Sequence, residues 1–312
     1  MKSVIKQKSV DPGLGEKFLD KASKSINPDG SFNIIKKGVT LHYKDLYQYL
    51  INISWTKFFL LTFTGYIIAN ILFAVVYYFI GDNNLQSTTD SSFSKTFFDG
   101  LFFSVQTLTT VGYGGIVPRG IITNTVAGIE AMTGLLGFAV TTGLLYGRFS
   151  KPSARILYSK NILVSPYENK NALVFRIANL RNTNLLEIEA KVLFSYIDYH
   201  TKDHVKKYQE LKLERNSVYF FPLNWTVVHP IDDGSPLIGK TAVELKKIHA
   251  EFLILVKGFD DTFSQVVHSR YSYSHDDIIW GGKFSKPYST NESGKVVFDL
   301  KDLHKFESVD QN

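Results

Sequence analysis

A chain of 312 residues with 44% hydrophobic content, its charges gathered in blocks, is long enough for a small membrane unit and one further domain. The net charge of +6 and pI near 9.1 admit nucleic acid or anionic lipid as a partner, but the excess lies beside the apolar segments, which favours lipid and argues against nucleic acid. There is no cysteine, so disulfides, thiolate metal sites and cysteine nucleophiles are excluded.

The first 36 residues are polar and lysine-rich, without the apolar core of a cleavable signal, so insertion is expected to rest on the first membrane helix. Leu46, Leu50 and Ile53 recur at i, i+4 and i+7, with Lys44, Asp45 and Gln48 between or beside them. That spacing predicts an amphipathic helix in the membrane interface; the rival is a first turn of the following helix extended into the cytosol. Phe58 to Ile80 carries no charge and is long enough to cross a hydrocarbon core of roughly 30 Å at about 1.5 Å per residue. Trp55, Tyr77 and Tyr78 fit aromatic belts at its two ends.

Gly81 to Lys95 is a polar turret, and Thr96 to Leu108 is aromatic-rich but too short to span, which predicts a re-entrant helix. Thr110-Val111-Gly112-Tyr113-Gly114 follows. Four copies of such a loop around one axis surround a dehydrated potassium ion with rings of backbone carbonyls, the filter chemistry of potassium channels. Gly112 and Gly114 suit the positive φ angles this needs, the Thr110 hydroxyl adds an oxygen, and Val111 and Tyr113 are expected to point away from the ion and wedge the loop in place. A glycine-rich turn is the rival for any isolated match, but here both flanks are those a pore loop requires. Ile121 to Tyr146, rich in small residues and carrying Glu130, predicts a second span suited to close packing around a pore. Lys36, Lys37, Lys44 and Lys57 precede the first span and Arg148, Lys151 and Arg155 follow the second, whereas the intervening loop holds more acid than base, so both termini are expected in the cytosol.

After Pro152 the pattern turns to alternation. Ala172–Leu180, Glu187–Ile197, Val218–Val228, Glu251–Phe259 and Phe263–Tyr273 predict strands of an all-β sandwich. One short helix is expected over Thr241 to His249, capped by Thr241 and packing through Leu245 and Ile248, and the tail beyond Asp302 is expected to be loosely held. His200 and His204 stand four apart as helical metal ligands can, but in a polar connection that favours solvated side chains. His275-Asp276-Asp277 lacks a nucleophile and reads as turn capping, and Asn291-Glu292-Ser293, a glycosylation acceptor by pattern, would face the cytosol. No catalytic constellation or cofactor motif is found, so no enzyme activity and no cofactor is expected beyond potassium as a transported ion.

From about His42 to Ser285 the chain resembles the inward rectifier potassium channels, in particular their prokaryotic KirBac branch. The resemblance rests on FFSVQTLTTVGYG (Phe102 to Gly114), GRFSKP (Gly147 to Pro152), FRIANLRNTNLLEIEAKV (Phe175 to Val192), WTVVHPIDDGSPL (Trp225 to Leu237) and SRYSYSHDDIIWGGKF (Ser269 to Phe284). It implies a homotetramer in a bacterial inner membrane. Each subunit would have a two-span α-helical pore domain with a re-entrant pore helix and filter, and a cytoplasmic all-β immunoglobulin-like sandwich. Residues 1–54 would form the N-terminus and interfacial helix, 55–150 the pore, and 151–312 the regulatory domain.

The resemblance also implies roles. Thr110, Val111, Gly112 and Tyr113 would coordinate K+, with Gly114 completing the filter. Phe138 falls where many animal members carry a polar residue that holds blocking cations, so weak rectification is expected of this apolar cavity. Tyr146 would form the gate, and Gly134 and Gly143 are hinge candidates that close packing explains equally well. Arg148, Lys151 and Lys44 would meet anionic phospholipids or phosphoinositides, with ordinary positive-inside topology as the rival account. Gln106 stands where the pore helix usually has glutamate and Gly115 where many bacterial members have aspartate, so the filter is expected to lean on neutral hydrogen bonds; Glu130 lies behind it as a further support. A less selective cation channel with the same hairpin, a transporter subunit built on such hairpins and a membrane-anchored sensor remain as alternatives.

Overall fold

The computed structural model describes residues 11–14, 24–38, 45–81, 85–87, 93–199 and 204–309. Lys44, His200, Asp82 and Asp90 lie outside them. Gly38–Lys151 forms one compact unit, and Pro152–Asn312 with the segment before Gly38 forms the other.

In the helical unit, α1 (Leu46–Asn52) stops at Ile53, whose extended backbone (φ −63°, ψ 159°) separates it from α2 (Trp55–Ile80). Ser54 caps α2 by accepting from the Lys57 amide at 3.4 Å. The helix α1 is therefore an element of its own, and Ile53 sits in the break rather than on its apolar stripe. A two-stranded ribbon of β1 (Leu85–Ser87) and β2 (Ile116–Pro118) brackets α3 (Phe93–Leu108) and the loop after it. With 16 residues, α3 reaches only about 24 Å and cannot span. The last helix, α4 (Gly120–Phe149), and α2 are each long and apolar enough to cross a membrane. Both run past the boundaries expected from hydropathy alone, because their ends carry residues such as Lys57 and Arg148 that hydropathy counts against a span.

The β unit contains β3 (Ile156–Tyr158), β4 (Ile162–Tyr167), β5 (Lys170–Asn179), β6 (Leu185–Asp198), β7 (Val205–Glu210), β8 (Ser217–Phe220) and β9 (Asn224–Ile231), then helix α5 (Ala242–Lys247). It continues with β10 (Glu251–Asp260), β11 (Gln265–Ser274), β12 (Ile278–Trp280), β13 (Gly282–Phe284), β14 (Tyr288–Thr290), β15 (Val296–Phe298) and β16 (Phe306–Ser308). One sheet runs β11-β10-β6-β7 with β8 also on β6; the other runs β12-β4-β5-β3 with β9 also on β5. Their facing sides bury Val164, Phe175, Ile177, Phe194, Phe252 and Ile254 in one core. Each such side chain contributes about 1.5–3 kcal/mol of transfer free energy, which makes the sandwich the lowest-cost place for these alternating residues.

Two expectations need correction. Val218–Val228 is not one strand: β8 and β9 belong to different sheets, separated at Phe221-Pro222-Leu223, where Pro222 has no N–H to continue a ladder. The tail beyond Asp302 is tied down, with Leu303 fully buried and β16 paired to β13 in register Phe284↔Phe306. The polar N-terminal segment also has a place. Ile26 is buried beside Tyr208 and Leu253, Ser25 donates through its amide and hydroxyl to Glu251 at 2.5 and 2.7 Å, and Lys206 pairs with the same carboxylate at 3.0 Å. In α5, Thr241 forms a capping box with Glu244 and Leu245 is buried, as the sequence pattern predicts.

Candidate functional site

The loop after α3 is built by its own backbone. The Gln106 carbonyl accepts from the amides of Val111 at 2.9 Å and Gly112 at 3.1 Å, which turns the chain back beside the helix it has just left. Thr110, Gly112 and Gly114 have φ of 59°, 57° and 81°, and Val111 and Tyr113 between them do not share the positive sign. In an extended strand successive carbonyls point to opposite sides. Alternation of left-handed residues with ordinary ones is the backbone pattern that allows successive carbonyls to share one side. Glycine adopts these angles freely, whereas Thr110 does so at a cost of roughly 1–2 kcal/mol.

Gln106 spans the two limbs of this loop. Its Oε1 accepts from the Tyr113 amide at 3.0 Å and its Nε2 donates to the Ile116 carbonyl at 3.3 Å, with the side chain buried. The brace is neutral at both ends. Behind it, Glu130 of α4 is fully buried and accepts from the Tyr77 hydroxyl of α2 at 2.6 Å and from the Ser104 hydroxyl of α3. Ser104 also lies 3.0 Å from Oδ1 of Asn70, whose amide donates to the Tyr66 carbonyl at 2.8 Å. One carboxylate thus joins the three helices α2, α3 and α4, and among the described residues no cation pairs with it. Tyr77, expected at the membrane interface, is 1% exposed and belongs to this network instead.

Gly134 lies where α4 meets the end of α3. A Cβ placed there would stand 2.0 Å from the Leu108 carbonyl oxygen and 2.8 Å from its carbon, so only glycine permits this approach. Gly143 has open space around it, and α4 is one unbroken helix through both glycines. Phe138 and Tyr146 are 73% and 74% exposed on the single chain, as are Val111 at 54% and Tyr113 at 84%. The last two are therefore largely uncovered within their own subunit, Tyr113 most of all.

At the end of α4, Arg148 is buried. Its Nη1 donates to the carbonyls of Leu50 at 2.6 Å and Ile51 at 3.1 Å, and Nη2 to that of Ile53 at 2.8 Å. Its Cζ lies 4.4 Å from the Trp55 ring centroid and 4.7 Å from that of Phe58. The last carbonyls of a helix have no partners within it, so a cation there satisfies orphan acceptors and meets the negative end of the α1 dipole. Arg148 was expected to face lipid; its guanidinium is occupied by the α1 terminus. Lys151 is exposed and reaches the side-chain oxygen of Asn52. Sequence reasoning missed Asn70, Ser104 and Trp55 as parts of the site; a buried asparagine in the middle of an apolar span is the one available signal.

His275-Asp276-Asp277 is a short 3-10 turn in which Asp277 accepts from the amide and hydroxyl of Ser274 at 2.7 and 2.9 Å. Among the described residues no group of three His, Asp or Glu side chains could hold a metal ion.

Comparison with known proteins agrees in two parts of the chain. The family profile for the inward rectifier potassium channel C-terminal domain matches residues 156–312, and one described as an ion channel matches residues 65–151. Inward rectifier potassium channel Kirbac3.1 of Paramagnetospirillum magnetotacticum is 38% identical over 282 residues, covering 89% of this chain and 94% of that protein. G protein-activated inward rectifier potassium channel 3 of Homo sapiens is 24% identical over 308 residues, covering 89% and 76%. G protein-activated inward rectifier potassium channel 4 of Mus musculus is 25% identical over 289 residues, covering 83% and 66%.

Proposed function

We propose a mechanism on one premise: this chain belongs to the inward rectifier potassium channel family. It is a membrane protein and a potassium channel of the inward rectifier type, not an enzyme. In our reading four copies surround one axis in a bacterial inner membrane with both termini in the cytosol, and potassium passes down its gradient through Thr110 to Gly114. The observation that supports this reading is the alternation of positive φ at Thr110, Gly112 and Gly114, a pattern that allows successive carbonyls to share one side. One chain closes no ring, and the exposure of Val111, Tyr113, Phe138 and Tyr146 supports neighbouring copies at those faces. Tyr146 would close the pore by dewetting, and Phe138 would leave the cavity without a Coulombic well for polyvalent blockers.

Recordings from purified protein in planar bilayers test both statements together. The reversal potential is expected to follow potassium in mixed potassium and sodium, with barium block and only shallow voltage dependence of internal spermine block. A reversal potential indifferent to replacing potassium by sodium points instead to a less selective cation channel, and steep spermine block refutes the cavity argument.

We assign lipid sensing to Lys151 with Lys44, and coupling to Arg148, which would transmit displacement of α1 to α4 through its three carbonyl bonds. Lys151→Gln is expected to reduce severalfold the change in rubidium flux caused by adding anionic phospholipid to neutral liposomes while leaving basal flux intact. An undiminished lipid response in that variant removes Lys151 from the site.

A further inference from the structure

Four polar side chains meet where α2, α3 and α4 touch: Asn70 and Tyr77 of α2, Ser104 of α3 and Glu130 of α4, none more than 2% exposed. Heavy-atom positions fix which atoms are in contact; the proton in each contact follows from counting donors. Three contacts need one. Tyr77 Oη lies 2.6 Å from Glu130 Oε2, Ser104 Oγ is within hydrogen-bond distance of Glu130 Oε1, and Ser104 Oγ lies 3.0 Å from Asn70 Oδ1. The Asn70 amide nitrogen faces the Tyr66 carbonyl at 2.8 Å, and turning the amide over would set two carbonyl oxygens against each other. Asn70 therefore presents an acceptor to Ser104.

Tyr77 and Ser104 bring one hydroxyl proton each, so three oxygen-to-oxygen contacts share two protons if Glu130 is ionised. The Ser104 proton then has to choose. Given to the carboxylate, it leaves Asn70 Oδ1 against the lone pairs of the serine oxygen; given to Asn70, it leaves the carboxylate there as an anion. In both cases a charge is buried at membrane depth, and among the described residues no Lys, Arg or His pairs with it. A neutral acid removes both difficulties, because its own O–H is the third proton.

We propose that Glu130 is a protonated carboxylic acid at neutral pH, with its Oε1–H donating to Ser104 Oγ, the Ser104 hydroxyl donating to Asn70 Oδ1, and Tyr77 donating to Oε2 as the carbonyl oxygen. The bonds then form one directed circuit, from α2 through Tyr77 to α4, from α4 through Glu130 to α3, and from α3 through Ser104 back to α2 at Asn70. Every buried oxygen in it has a proton to share or to receive. Ser104 stands two residues before Gln106, whose side chain spans the limbs of the loop, so Glu130 is a positioning residue that acts on the loop through α3. That positioning role rests on the potassium-channel reading; the protonation state does not.

Infrared spectra of the full-length chain in phosphatidylcholine liposomes at neutral pH read the proton directly. A carboxylic acid C=O stretch, separate from the carboxylate bands, is expected in wild type and is lost in Glu130→Gln, whose amide offers a donor and an acceptor in the same places. In Tyr77→Phe the band persists at higher wavenumber, because the carbonyl oxygen has lost its hydrogen bond. Spectra of wild type and Glu130→Gln that differ only in the carboxylate bands overturn the proposal, as does an acid band that Tyr77→Phe leaves unmoved. In recordings with mixed potassium and sodium, Glu130→Leu and the smaller change Ser104→Ala are expected to lower the potassium-to-sodium permeability ratio severalfold, with Glu130→Gln close to wild type. Equal loss in Glu130→Gln and Glu130→Leu overturns the positioning role. A wild type without preference for potassium overturns the channel reading instead, and the infrared result stands apart from it.

Discussion

Gly134→Ala is expected to abolish rubidium flux and to leave little tetramer after detergent extraction. The added Cβ would stand 2.0 Å from the Leu108 carbonyl oxygen and 3.0 Å from its Cα, and both sides of that contact are main chain. A side chain relieves such a clash by changing rotamer; two backbones relieve it only by separating. Overpacking in cores typically costs about 1–3 kcal/mol, and here, without a movable partner, roughly 3 kcal/mol or more is expected. The displacement falls at the last residue of α3, two residues after Gln106 and two before Thr110, so the loop moves with it. If Gly134→Ala conducts like wild type, the close approach of α3 to α4 is wrong and the glycine is better explained as a bending point.

Gln106→Leu is expected to remove potassium selectivity or conduction while the protein still folds and assembles. The substitution leaves the Tyr113 amide and the Ile116 carbonyl without the partners they have at 3.0 and 3.3 Å. Each of these part-buried groups, left unmet, costs up to about 1–3 kcal/mol, enough to let the loop reorient but not enough to unfold a subunit. Gln106→Glu separates the two bonds. A carboxylate still accepts from Tyr113 but has no donor for Ile116, so single-channel open times are expected to fall between those of wild type and Gln106→Leu. Unchanged open times and an unchanged potassium-to-sodium permeability ratio in both variants remove Gln106 from the support of the filter.

Much of the site was legible in the sequence because the signals are local. A filter pentapeptide, two apolar runs and a short amphipathic stretch each lie within a few dozen residues, and their physics concerns neighbours along the chain. Gln106 could be singled out because a neutral residue stood at a position expected to be acidic. Its two hydrogen bonds span only seven and ten residues, well within the reach of one loop. Strand boundaries were less legible: the apolar run Val218–Val228 reads the same whether it stays in one sheet or crosses to the other, and only Pro222 hinted at the crossing.

What the sequence alone determined was two apolar spans flanking a short helix and a glycine-bearing loop, with a β domain after them in the chain, since apolar length, period and glycine placement are properties of consecutive residues; the family came from the resemblance of longer motifs such as FFSVQTLTTVGYG. Only the tertiary structure decided the partners of the charged and polar side chains. Glu130 finds Tyr77 across 53 positions, Arg148 finds the α1 carbonyls across as many as 98, and Glu251 finds Ser25 across 226. A buried charge must take whatever donor or acceptor the packed helices and sheets bring within about 3 Å, and no periodicity in the chain records which one that will be.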